Sequence, residues 1–397
     1  MMQRNPQPLQ QRTWLDPLYD PKIRGIIFQV LLVLALAFLA YEIVTNTAAN
    51  LKRQNIASGF DFLSRTAGFD ISQSMIPYKS TSSYAAAFLV GLGNTLLVAS
   101  LGIVLATLLG FVIGLGRLSS NWLIAKLSLL YVEIVRNVPL LLQLFIWYVA
   151  VLRALPMPHD AKPVAGVAYF DTRGLHTPLP LLDAGGWLIA MAALIGIALT
   201  VWLNIWAGQR QERTGQRFPL LWSSLGLILG LPLLALLLMG ATLHFEHPTL
   251  GRFNFDGGLT ILPEFLALLA GLAFYTASFI AEIVRSGIEG VPRGQKEAAS
   301  AIGLSNAQAL RLVVIPQAMR LILPPLTNQY LNLTKNSALA VAIGYPDLVS
   351  VFAGTVLNQT GQAVEVVLIT MAVYLAISLL TSLFMNWFNA RMAIVER

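Results

Sequence analysis

Between Val291 and Pro316 the chain reads VPRGQKEAASAIGLSNAQALRLVVIP, a polar stretch set between two long apolar runs, 262–284 and 326–345. Val291-Pro292 puts proline at a first helical position, where its missing N–H costs nothing. The helix formers up to Ile302 then run into Gly303, a natural left-handed stop. Ser305-Asn306-Ala307-Gln308 has the form of a capping box, with Ser305 as N-cap and Gln308 reaching back, and the helix it starts is expected to end before Pro316. The stretch therefore predicts a helix, a tight turn and a second helix. Within it Glu297-Ala298-Ala299 places one carboxylate beside two methyl side chains, and such small residues let another backbone approach closely. That surface suits a partner protein.

The flanking runs are two of eight. Stretches of about 20 apolar residues match the hydrocarbon thickness of a bilayer at 1.5 Å rise per residue, and they fall at 26–44, 86–116, 128–151, 187–206, 219–241, 262–284, 326–345 and 366–388. Composition agrees: of 397 residues 56% are hydrophobic and 11% charged, with mean hydropathy +0.68. That charged share is roughly half of an ordinary globular domain's, too little to cover a water-facing globule. An all-α integral membrane bundle of about eight helices is predicted.

Even parity puts both termini on one side, and the cations choose which. With the termini inside, the outer segments hold Lys52, Arg53, Arg65, Lys79, Arg153, Lys162, Arg173 and Arg252, Lys335 lies within a span, and the other 17 of the 26 Lys and Arg fall inside. Both termini are thus expected to be cytoplasmic. The net charge of +7 serves topology; no basic stripe with interleaved aromatics appears, which speaks against nucleic acid. Zero cysteines remove disulfides, thiolate metal sites and a thiol nucleophile. The expected organisation is a cytoplasmic segment 1–24, a span and outer loop over 25–85, and a membrane core over 86–392. The core carries an insertion with two extra helices at about 152–260 and the inner loop at about 285–325. The outer loops 45–85 and 152–186, the latter broken by prolines, read as ordered caps.

Glu297-Ala298-Ala299, Gly303 and Val313-Val314-Ile315-Pro316 together resemble the EAA loop of ABC importer permeases, with Val313 and Ile315 departing mildly from the usual Ile-x-Leu-Pro ending. Glu133 to Leu141 (EIVRNVPLL), Glu282-Ile283-Val284-Arg285, Pro324-Pro325, Leu333 to Leu339 (LTKNSAL) and Gly93-Asn94-Thr95-Leu96 are similar to the polar amino-acid branch of that family. The insertion, the extra N-terminal span, Gly59 to Leu63 (GFDFL) and Thr66 to Ile71 (TAGFDI) are most similar to the larger permease of general L-amino acid transporters. The resemblance implies a type I importer fold in the inner membrane of a Gram-negative bacterium. It also implies separate ABC ATPase subunits that use ATP and magnesium, a second permease subunit and a periplasmic amino-acid-binding protein. Glu297, Ala298, Ala299, Gly303 and Pro316 would then form the ATPase coupling loop. No G-x-x-x-x-G-K-[ST] occurs, so the chain has no motor of its own.

An ionised side chain at bilayer centre costs roughly 3 kcal/mol on insertion scales and so marks a functional site by default. Asn328, Asn332 and Lys335 share one helical face, with Gln329 and Asn336 on the adjoining stripe. Asn332, Lys335, Asn336 and Gln143 are candidates for the substrate path, with inter-subunit packing as the alternative. Glu133 with Arg136, and Glu282 with Arg285, are spaced to pair near the cytoplasmic ends of their helices, as gate contacts or plain structural ion pairs. Pro139 frees the carbonyl of Val135, so that helix is expected to bend beside Asn137 and Gln143. Gly110/Gly114 and Gly226/Gly230 have the G-x-x-x-G spacing of close helix contacts. No metal site is expected despite His244 and His247, and no catalytic constellation is visible. The chain reads as a transport subunit, not an enzyme. The alternative function is an ion-coupled secondary amino-acid transporter, though no internal repeat supports it.

Overall fold

A computed structural model of the chain describes residues 21–53, 58–164, 167–181, 186–216, 218–238, 244–251 and 255–392. The N-terminal segment up to residue 20, and Arg217, Arg252 and Arg397, lie outside the described residues. The helices are α1 (Pro21–Arg53), α2 (Tyr84–Arg117), α3 (Trp122–Asn137), α4 (Leu140–Ala154), α5 (Gly186–Thr214), α6 (Leu220–Leu238), α7 (Pro263–Glu289), α8 (Arg293–Ala301), α9 (Asn306–Ala309), α10 (Ile315–Asn336), α11 (Leu357–Thr360) and α12 (Ala363–Met392). Seven are long and apolar enough to cross a bilayer when α9 and α10 count as one run, eight if the bent pair α3 and α4 forms one span.

The centre of the bundle is α7, against which α2, α3, α4 and α10 pack. Leu268, Leu272, Ile280 and Val284 of α7 are wholly buried among Val98 and Ala106 of α2, Leu144 of α4 and Ile322 and Leu333 of α10. Gly110 and Gly114 let α2 lie directly on α7: a Cβ at Gly110 would sit 2.6 Å from Ile280, and one at Gly114 would sit 2.8 Å from the Ala281 carbonyl. The spacing read from the sequence is a real close contact here.

The third span is sharper than a bend. Between α3 and α4 the axis turns by 108° at Asn137-Val138-Pro139, because Pro139 cannot donate and forces the preceding residue out of helical geometry. Gln143 stabilises the break: its Nε2 donates to the Val135 carbonyl at 2.7 Å and to Val138 at 2.8 Å. The freed carbonyl of Val135 therefore has its partner in Gln143, on the far side of the proline.

The bend at Pro139 was expected, but another expectation is overturned at Pro316, where the helix begun at Asn306 does not end. It widens into a π-helical turn, Leu310–Val314, and continues as α10. The wider turn accommodates a residue with no N–H, so the loop helix and the membrane helix form one run to Ile343 through a 3₁₀ segment. Pro324 and Pro325 lie inside α10.

The inserted hairpin α5–α6 stands apart from this core, its two helices packed on each other. Gly226 and Gly230 meet nothing within 4 Å, contrary to their spacing, and it is Gly196 of α5 that lies against the Leu227 carbonyl of α6. No residue in the apolar window of α1 or of α6 is buried. The chain segments on either side of the hairpin join in a small sheet of order β1-β2-β3-β8, formed by Pro163–Val164, Ala168–Asp171, Gly174–Thr177 and Leu259–Ile261. All its pairings are antiparallel, and Leu175 faces Ile261 in the last of them. Strands β4 (Leu179–Leu181) and β5 (His244–Glu246) form a second pair, and β6 (Thr249–Leu250) and β7 (Phe255–Asp256) a third. His176 of β3 and Asp171 of β2, both fully buried, stand 3.2 Å apart within the four-stranded sheet, with Phe255 stacked on Tyr169. Strands in these loops were not among the sequence expectations.

Candidate coupling loop and polar path

Helix α7 ends at Gly290, and Val291 and Ala299 tuck the following helix against the bundle. Helix α8 is nine residues long and closes on Gly303, whose φ is +84°. Gly303 N donates to the Ser300 carbonyl at 3.0 Å and Leu304 N to Ala299 at 3.1 Å, the paired bonds of a Schellman stop that needs a left-handed residue. Ser305 and Gln308 form the reciprocal capping box expected of them. Gln317 on α10 donates to Gln295 at 3.1 Å, fastening α8 to the long helix. Glu297 and Ala298 face outward, beside Ile302, which is 77% exposed, and the exposed Leu310 and Leu312. Among the described residues Glu297 has no ion-pair partner. A carboxylate, a small side chain and bare aliphatics form one surface on which none of the described residues is seated. Pro316 lies behind the surface, in the run that joins it to the membrane helix.

At the same end of the bundle Glu282 receives Arg117 from the end of α2, and Arg285 at 2.5 Å from within α7. Arg285 also reaches Glu289. The expected pair is thus part of a four-residue cluster that ties α2 to the helix leading into α8. The other expected pair is not formed. Arg136 instead stacks over the Phe279 ring of α7, with 5.0 Å to the centroid, while Glu133 is exposed and its backbone carbonyl accepts from Asn137. The cation on a face packed against α7 meets an aromatic ring there before it meets its own helix's carboxylate.

Along α10 the two faces separate. Leu326, Thr327, Leu333 and Thr334 are buried, and Tyr330 shares a hydrogen bond of 2.9 Å with Thr107 of α2. Asn328, Asn332 and Lys335 are exposed on the opposite stripe, with Gln329 and Asn336 half-buried between. Lys335 borders a cleft of about 420 Å³ closed on its other side by Thr370, Tyr374 and Ser378 of α12. Those three residues were missed in the sequence, although they recur at i, i+4 and i+8 in an apolar helix. Gln143, grouped with the path residues by sequence, lies away from this cleft, and both bonds of its Nε2 go to the α3–α4 break.

At the far end of α2 the turn after α10 is locked down. Asn94 donates to the Gln73 and Pro346 carbonyls at 2.8 and 2.9 Å, and Thr95 accepts from Leu348 N. Gly91 has the Leu348 backbone 3.0 Å from where a Cβ would sit. The loop 58–83 covers this end, with Phe62 wholly buried against Tyr84 and Phe352.

The helical core thus ends in a capped helix–turn–helix on one side and a locked turn on the other. The family described as binding-protein-dependent transport system inner membrane component matches residues 102–394. The chain belongs to that family. It is a multi-pass inner-membrane permease subunit of an ABC importer, with the type I fold, and works with ATPase and binding-protein partners. Over 380 residues, 96% of this chain and 95% of the relative, the permease is 54% identical to the general L-amino acid transport system permease protein AapQ of Rhizobium johnstonii. It is 52% identical to the putative amino-acid ABC transporter permease protein YhdX of Escherichia coli, covering 95% of this chain and 96% of that one. With the glutamate/glutamine/aspartate/asparagine transport system permease protein BztB of Rhodobacter capsulatus the identity is 41%, over 96% of each.

Proposed function

We propose that this permease passes L-amino acids of broad, polar character inward across the inner membrane of a Gram-negative bacterium, as one half of a heterodimer with a second permease subunit. The observation that carries the substrate class is its near full-length identity with a general L-amino acid permease. The surface of Glu297, Ala298 and Ile302, seated on the buried Ala299, is the seat of the ATPase subunits, which bind ATP with magnesium and hydrolyse it. This end and both termini are cytoplasmic, as the distribution of cations supports. The binding protein delivers its amino acid at the opposite end.

The bare stripe on α10 supports the second permease. Asn328, Asn332 and Lys335 are exposed on a membrane helix, and lipid does not satisfy such groups. Facing the partner subunit across a wet path, they offer replaceable hydrogen bonds to a zwitterion, and Lys335 offers its carboxylate a cation. The difference in free energy with which two ATPase states bind the α8 surface biases the permease between its two access states.

The test is uptake into proteoliposomes holding the assembled complex. Uptake of labelled L-amino acids that requires both ATP and the binding protein is the expected result. Uptake driven by an ion gradient without ATP would overturn the reading.

A further inference from the structure

Helix α5 has 29 residues, about 43 Å at 1.5 Å per residue, well beyond the roughly 30 Å of hydrocarbon it crosses. Its partner α6 has 19 and just spans. The excess of α5 emerges at the turn of the hairpin, beginning near Trp206, a residue type that settles at the headgroup boundary. There Trp206, Gln209, Arg210, Arg213 and Thr214 line a cleft of about 280 Å³.

The cleft is held in shape. Arg210 lies over Trp206 at 5.5 Å and Phe218 at 6.0 Å from the ring centroids, the two rings meet edge to face at 5.6 Å, and Arg210 Nη2 donates to Gln216 at 3.3 Å. Thr214 is bonded back to the Arg210 carbonyl. Two guanidiniums, a carboxamide and a hydroxyl therefore converge, and among the described residues no carboxylate lines the space. A phosphodiester fits such a site, since planar guanidiniums take phosphate oxygens in pairs. Below it the flanks of the hairpin are bare aliphatic surface, with Leu221, Leu225 and Leu229 of α6 exposed.

We propose that the turn of the inserted hairpin is a binding site for an anionic phospholipid in the leaflet on the coupling-loop side, with Arg210 and Arg213 on its phosphate and the acyl chains along α5 and α6. The adjacent apolar flanks are what select a lipid over a free phosphate ion. The site depends on nothing about what the permease transports.

The full chain, placed in nanodiscs of phosphatidylcholine doped with phosphatidylglycerol, should retain phosphatidylglycerol when examined by native mass spectrometry. Arg210→Gln with Arg213→Gln should weaken that retention about 30-fold, at the usual worth of two interfacial cations. Arg210→Lys with Arg213→Lys, which keeps the charge and gives up the paired guanidinium bonds, should retain more phosphatidylglycerol than the double Gln variant and less than the unchanged chain, which shows that loss is not unfolding. Lys126→Gln, an exposed cation on α3, should change nothing. Equal retention of the two lipids, equal retention by the double Gln variant, or an equal loss with Lys126→Gln would overturn the site. Displacement of the lipid by millimolar inorganic phosphate would overturn the choice of lipid over free ion.

Discussion

Gly110 and Gly114 of α2, and Gly226 and Gly230 of α6, have one spacing on two strongly apolar helices. Yet a Cβ at Gly110 falls 2.6 Å from Ile280, whereas one at either glycine of α6 meets nothing within 4 Å. The difference lies in what stands opposite. Helix α7 presents the Ala277 and Ala281 carbonyls and the branched side chains of Ile280 and Val284 to α2 and fastens the end of the pair with Glu282 on Arg117, so the two glycines leave room for groups that stand there to fill it. In the hairpin the close approach is made from the other helix, through Gly196. In lipid no hydrophobic force drives helices together, so a motif on one surface acts only where its partner is shaped to receive it.

The largest effect should come from Gly114→Leu, which drives a side chain into the Ala281 carbonyl and Val284. Overpacking of this kind should cost about 3 kcal/mol or more, read as loss of monodisperse protein in detergent. Gly230→Leu on α6, changing the same residue in the same spacing, should stay within about 0.5 kcal/mol; equal damage from both would break the contrast. Next comes Gln143→Leu, which leaves the Val135 and Val138 carbonyls without their donor at the helix break. It should cost about 2 kcal/mol, as a lowered melting temperature with no change in binding of the ATPase. Smaller in stability but larger in function is Gly303→Ala. A left-handed alanine costs about 1 kcal/mol, while the altered turn should uncouple ATP hydrolysis from transport in the assembled complex; normal coupling would count against the docking assignment.

What could be read from the chain is what short-range chemistry decides. Gly303 needs a left-handed turn and Ser305 with Gln308 caps a helix whatever lies around them, so the turn of the loop was legible residue by residue, as were the spans from their length and hydropathy. Pro139 signalled a bend, but its size depends on Gln143 catching two carbonyls on the far side of the break. Pro316 looked like a stop because a π turn is invisible in sequence. Arg136 and Glu133 have ideal spacing, and only the fold brings Phe279 to Arg136 instead. Thr370, Tyr374 and Ser378 follow a visible helical period, but nothing local says that the face they share is turned towards Lys335. The pairing of Leu175 with Ile261 joins residues on either side of two membrane helices, beyond the reach of any local rule.

That last pairing has a consequence for how the chain tolerates rearrangement. Strands β3 and β8 lie one strand spacing apart, about 4.8 Å, so the polypeptide departs for the hairpin and comes home at almost the same point. Two membrane crossings bring it back on the side from which it left, and the detour has a closed mouth. A version in which Thr177 is joined to Leu259 by a tight turn should keep the four-stranded sheet, the orientation of α7 and the whole engine around it, losing the excursion into the surrounding lipid together with the β4–β5 pair and the Phe255 ring.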